Sequence, residues 1–114
     1  MRIVAKNCRQ ATYLREQTHH RYLLIRQLNY PNFIIENVYD YLRERIEAHM
    51  YENGFKPESH EDVIQYAVRF MCDKDQVFFN ELRLNRHRVK YAGAVQPQSY
   101  AKKVLTFLDK YKNV

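Results

Sequence analysis

Apolar residues recur every three or four positions along most of this chain, and the few interruptions fall at glycine and proline. The first run, from about Asn7 to Leu28, sets Ala11, Leu14, Thr18, Tyr22, Ile25 and Leu28 on one side of a helix. Asn29-Tyr30-Pro31 ends it, because proline drives the preceding residue out of the helical region. The second run, Pro31 to Asn53, carries a buried stripe of Ile35, Val38, Leu42, Ile46 and Met50. Asp40, Arg43, Glu44, Glu47 and Glu52 then form its outer face, with His49 on the exposed side. Gly54 is the expected C-terminal cap, since glycine takes a left-handed conformation at little cost.

After the loop Phe55–Glu58, Ser59 followed three residues later by Asp62 marks a helix start, the hydroxyl satisfying an orphan amide. Val63, Ile64, Ala67, Val68 and Met71 supply the apolar face of this short third helix. Asp73 is placed as the cap of a fourth helix, with Val77, Phe78, Leu82 and Val89 pointing inward and an end near Gly93. Pro97 and Ser99 open a fifth, striped by Tyr100, Val104, Phe107, Leu108 and Tyr111. The pattern predicts an all-α fold, an up-and-down bundle of four to five antiparallel helices forming one domain over residues 1–114. Strand alternation is sustained nowhere, and no repeat or low-complexity segment is present.

Composition narrows the class. Two glycines and three prolines are too few for a sandwich or barrel with many tight turns. With 28% charged residues and no apolar stretch near the ~18–20 residues needed to span a bilayer, no membrane association is predicted. The opening MRIVAKNCRQ turns polar too soon for a secretory signal, so a cytoplasmic protein is expected. Cys8 and Cys72 belong to no CxxC pair and the five histidines are scattered, so neither a metal nor another cofactor is predicted. A net charge of +6 and a pI near 9.4 point to an acidic or phosphate-bearing partner.

Three stretches, in this order, resemble the HEPN family of small helical proteins. They are Asn32–Glu44 (NFIIENVYDYLRE), Ala48–Glu61 (AHMYENGFKPESHE) and Leu82–Gly93 (LRLNRHRVKYAG), and the likeness extends over roughly residues 32–108. The middle stretch is the most specific, being similar to the family's leucine–glycine–tyrosine–lysine…serine–histidine–glutamate junction. The resemblance implies a bundle of four or five helices that often dimerises with the arginine-bearing helices of two subunits face to face. It also implies a choice of roles. Some members are metal-independent endoribonucleases, some are toxins paired with MNT-type nucleotidyltransferases, and some have lost catalysis and act as binding modules.

Active members carry arginine, four to six intervening residues, then histidine. Carried over, the arginine falls on Arg86, and after four intervening residues Tyr91 stands where histidine is expected, while His87 follows Arg86 directly. The difference bears on chemistry. Cleavage through the 2′-hydroxyl needs a proton acceptor and donor near neutral pH and positive charge on the phosphate. Histidine titrates near ~6.5 and suits both proton roles, whereas tyrosine titrates near ~10. Arg86, His87 and Tyr91 are therefore the catalytic candidates, and Arg83, Asn85, Arg86, Arg88 and Lys90 the RNA- or nucleotide-binding candidates. Arg83 and His87, four apart, share a helix face. The same cations also suit a solvated helix end beside the negative pole of the helix dipole. Asn85, in line with Leu82 and Val89, needs hydrogen-bond partners if it turns inward.

Other polar residues read as structural. His60 follows the Ser59 cap, and His19 and His20 lie mid-helix beside Arg15 and Arg21. Glu36 and Asp40, one turn apart, are either an acid–base pair or solvated surface. Tyr22, Tyr39, Tyr100 and Tyr111 fall on core stripes. The leading expectation is an RNA- or nucleotide-binding module, homodimeric, set in a prokaryotic toxin–antitoxin or defence pair with an MNT-type nucleotidyltransferase. The alternatives are a metal-independent endoribonuclease using Arg86 with His87 or Tyr91, and a dimerising helical adaptor that touches no nucleic acid.

Overall fold

The computed structural model describes residues 1–114 and contains five helices: α1 (Cys8–Ile25), α2 (Pro31–Glu52), α3 (His60–Ala67), α4 (Asp73–Tyr91) and α5 (Gln98–Tyr111). The fold is all-α, apart from one short ribbon. Helix α2 is its axis, for α1, α3, α4 and α5 all pack against it. Its stripe residues Ile35, Val38, Leu42, Ile46 and Met50 are fully buried, and Tyr39, Tyr66, Phe79, Leu82, Val104 and Leu108 close the core around them. Each such large side chain contributes about 1.5–3 kcal/mol on burial. No helix is long and apolar enough to cross a membrane.

The helix ends follow local chemistry. Asn7 caps α1 by accepting from the Gln10 amide at 3.0 Å. The α1 helix stops at Ile25, short of Leu28, which packs against the core from the following turn. Ser59 caps α3 by accepting from the Asp62 amide at 3.2 Å, while the Asp62 carboxylate accepts from the Glu58 amide at 2.9 Å. At the other end of the loop, Gly54 has φ +81°, and a Cβ there would lie 2.9 Å from the Val4 carbonyl oxygen. Only glycine meets both conditions.

The close approach of Val4 belongs to a feature the helical periodicity did not foretell. Strand β1 (Arg2–Ile3) pairs antiparallel with β2 (Phe55–Lys56), Arg2 opposite Lys56 and Ile3 opposite Phe55. Two residues a side are too few for alternation to register in a sequence.

Three helix faces differ from expectation. Asp40 and Glu44, assigned to the outside of α2, are buried, and His49 is half-buried. An axial helix covered on several sides has little outer face to offer. Just past α3, Val68 is exposed, and Tyr66 joins Val63 and Ala67 on the buried face. In α4 the cap is Cys72 rather than Asp73, and the core face is Asp75, Phe79 and Leu82, with Val77 turned to solvent and Val89 half-buried. The contiguous run Val77-Phe78-Phe79 fits either register by spacing alone. The larger Phe79 takes the core, where its ring packs against Tyr39 and Phe107.

Candidate nucleic-acid interface

Helix α4 divides the residues singled out above between two faces. Arg86 continues the inward line Asp75–Phe79–Leu82 and points at α2. Its side chain is 14% exposed, with Nη2 3.2 Å from Asp40 Oδ1 and the guanidinium carbon 5.9 Å from the Tyr39 ring centroid. Its Nε is buried without a hydrogen-bond partner.

Asp40 is the hub of this junction. Besides Arg86 it has Arg43 Nη2 at 3.9 Å and Arg21 Nη1 at 4.0 Å. Arg21 holds Glu44 at 2.6 Å, and Arg43 holds Glu47 at 2.6 Å. The three acids and three arginines of α1, α2 and α4 thus form one network. Taking such charges out of water is costly, and their mutual pairing offsets that cost. Asp40 and Glu44 were expected on a solvated face. They are instead tied to arginines on other helices, which no local pattern could reveal.

Tyr39 and His60 border the same junction. The Tyr39 hydroxyl and His60 Nδ1 lie 2.8 Å apart. Burial pushes the Tyr39 hydroxyl up to about 12, against the pull of Arg43, Arg83 and Arg86. The His60 imidazole is held below its ordinary value by burial first, then by Arg43, Arg86 and Arg83. Its neutral form is favoured, and in that form Nδ1 can accept a hydrogen bond from the tyrosine hydroxyl. His60 therefore ties α3 to α2, which agrees with its reading as a structural residue.

The remaining candidates lie on or near the outer face. Arg83 is half-buried, with Nε 3.4 Å from Asn80 Oδ1 and Nη1 3.5 Å from exposed Glu61. Asn85 donates to the Tyr100 hydroxyl at 2.9 Å and accepts from Arg88 Nη1 at 2.9 Å, so its amide stitches α4 to α5. Arg88 has no carboxylate partner. Lys90 Nζ lies 3.8 Å from Glu36 and 5.9 Å from the Tyr91 ring. Glu36 and Asp40 therefore serve separate cations and do not form an acid–base pair. His87 and Tyr91, both exposed, have ring centroids 4.8 Å apart.

Within one chain, then, the catalytic candidates do not converge. His87 and Tyr91 meet outside, while Arg86 faces α2 and its nearest anion is a carboxylate. His87 makes its ring contact with Tyr91, while Arg83 is engaged by Asn80 and Glu61.

No family model, curated protein or solved structure matches this chain.

An apolar stripe runs along the outer face of α4. Val77 is 60% exposed, Leu84 40% and Tyr91 64%. They are spaced by seven residues, which keeps them on one side of the helix. Arg88 and Lys90 flank the end of the stripe. A helix face of this kind offers a hydrophobic seam bordered by cations.

Proposed function

We propose that the chain is a HEPN-like RNA- or nucleotide-binding module that works as a homodimer through α4. The observation that carries the reading is the Val77–Leu84–Tyr91 seam with Arg88, Lys90 and Arg83 at its side. Two copies joined along this seam by a two-fold axis would set both sets of cations at the rim of one cleft. Cations with no carboxylate, or a distant one, remain available to phosphate. Arg88 and Lys90 meet that description better than Arg86, whose guanidinium is already engaged by Asp40.

The setting suggested by the resemblance is a prokaryotic toxin–antitoxin or defence pair with an MNT-type nucleotidyltransferase. In that pairing the exposed Tyr91 hydroxyl is the natural acceptor for a transferred nucleotide.

An endoribonuclease is the second reading, and the 4.8 Å approach of His87 to Tyr91 on an open surface is the observation in its favour. Its proton transfers would then fall to His87, with phosphate charge supplied by arginines of both subunits. One experiment separates these readings: RNA binding and RNA cleavage measured together in EDTA, for the native protein and for His87→Gln. Binding without cleavage supports the module, and cleavage lost in His87→Gln supports the enzyme. No RNA retention at low salt would leave a helical adaptor and overturn both.

A further inference from the structure

A second basic concavity lies away from the outer face of α4, where α1, α2 and the residues after α5 meet. It is an open concavity of about 290 Å³ lined by His19, Tyr22, Tyr41, Arg45, Lys112 and Asn113. No carboxylate lines it. This sets it apart from the groove between α3 and α4, where Glu61 and Asp73 oppose Arg83.

Glu52, whose charge is felt at Arg45, is already committed to another arginine. Glu52 holds Arg15 through two short contacts, 2.8 Å to Nε and 2.7 Å to Nη2. Arg45, in contrast, has no acid partner. It is half-buried, its Nε is enclosed without a hydrogen-bond acceptor, and its guanidinium carbon sits 6.0 Å from the Tyr41 ring centroid. Burial pushes its guanidinium below the ordinary arginine value. Lys112 Nζ lies 5.9 Å from the Tyr22 ring, its only acid being exposed Asp109 at 3.9 Å.

The frame around these groups is fixed. The Tyr41 hydroxyl donates to the Lys112 carbonyl at 2.7 Å, and the Tyr22 and Tyr41 rings lie 5.8 Å apart. Two aromatic walls thus hold two cations, an imidazole and an amide around one space.

A partly buried guanidinium without a counter-charge is costly, and an anion entering the pocket removes that cost. The fork of arginine fits tetrahedral phosphate oxygens in bidentate fashion. Two permanent cations match a phosphate monoester, which carries roughly −1.5 to −2 at neutral pH. We propose that this pocket is an anion site that takes a phosphate monoester, gripped by Arg45 and Lys112 with His19 and Asn113 at its mouth. The monoester can belong to a free mononucleotide or to the 5′ end of an RNA. The proposal does not depend on the α4 reading, because none of the lining residues belongs to α4.

The test is a titration of the full chain with inorganic phosphate at constant ionic strength, followed by the NMR signals of the His19 ring and the Arg45, Lys112 and Asn113 amides. Saturable shifts confined to these groups are expected. Lys112→Gln and Arg45→Gln should each weaken binding about tenfold or more, while Arg88→Gln leaves it unchanged. Lys112 follows the last turn of α5 and is exposed enough that its variant keeps the fold, whatever happens to Arg45→Gln. Shifts that rise linearly with phosphate, or that are identical in Lys112→Gln, would overturn the site. AMP and short RNAs with a 5′-phosphate or a 5′-hydroxyl then distinguish the sources. Tighter binding of AMP identifies a mononucleotide pocket, and preference for the phosphorylated RNA identifies an end-binding pocket. Equal binding of the two RNAs together with no gain from AMP would remove the monoester from the proposal.

Discussion

Arg86 of α4 reaches Asp40 of α2 across 46 residues of sequence, Nη2 to Oδ1 at 3.2 Å, with both side chains nearly out of solvent at 14% and 11% exposure. The arginine that the motif would assign to RNA chemistry is, in the isolated chain, a tie between two helices. Arg86→Met should therefore lower stability by about 1–3 kcal/mol, because it removes the closest partner of a buried carboxylate. Arg43 and Arg21 stand 3.9 and 4.0 Å from Asp40 and soften the loss. Urea unfolding of Arg86→Met, Asp40→Asn and the double variant measures it, and the coupling between the two sites should be on the order of 1 kcal/mol or more. A coupling near zero would mean that Arg86 is free for a ligand after all. Any loss of RNA activity in an Arg86 variant has to be read beside this stability measurement.

The seam on α4 makes the opposite kind of demand. Val77 and Leu84 are 60% and 40% exposed in the single chain and lie outside the core, so charged replacements there disturb little of the packing. Leu84→Lys with Val77→Glu should leave monomer stability within about 0.5 kcal/mol while converting a dimer to monomers. Light scattering and analytical ultracentrifugation read the mass, and thermal unfolding checks the fold. A native protein that is already monomeric at high concentration would rule out the face-to-face arrangement.

Binding to RNA should also carry the mark of its cations. If Arg88 and Lys90 contact phosphates, Arg88→Gln and Lys90→Gln should each weaken binding across all sequences. Each should also reduce the slope of log affinity against log salt by roughly 0.7, the value for one phosphate contact on a single strand. Fluorescence anisotropy over a range of salt concentrations measures this. An unchanged slope in the double variant would move the interface elsewhere on the molecule.

What the chain discloses in one dimension is what repeats locally. The α2 stripe Ile35–Met50, the glycine at 54 and the Ser59 cap all depend on residues within a turn or two of each other, and all three are where spacing puts them. The burial of Asp40 and Glu44 depends on arginines 46 and 23 positions away, so spacing assigned both acids to solvent. The register of α4 turned on whether Val77 or Phe79 faced inward, a choice made by Tyr39 and Phe107 on other helices. The basic pocket around Arg45 was invisible for the same reason, since its lining comes from residues 19–22, 41–45 and 112–113. The candidate residues of α4 could be picked out as a group because all fall within Arg83–Tyr91. Their division into an inward Arg86 and an outward His87 and Tyr91 could not.

Mild acid should weaken the fold through two histidines. His60 Nδ1 lies 2.8 Å from the Tyr39 hydroxyl, and His49 Nδ1 lies 2.8 Å from the Tyr66 hydroxyl. Both imidazoles are held below their ordinary value chiefly by burial. Arg43, Arg86 and Arg83 add to the effect at His60 against Glu61, and Arg15 and Arg69 add to it at His49 against Glu52. A folded-state value below the unfolded ~6.5 means that the unfolded chain binds protons first as pH falls. The stabilisation is therefore complete above ~6.5 and is lost as pH drops through the folded values. Glu47 acts in the other direction, because burial raises its carboxyl, so its stabilisation is lost as pH rises through its own folded value from ~4.5. The histidine effect is cleanest near pH 6 and above. Urea midpoints should fall between about pH 7.5 and pH 5.5, and the fall should be strongly reduced in His49→Gln/His60→Gln. A midpoint that stays level over this range in the native protein would show that neither histidine is held neutral by the fold.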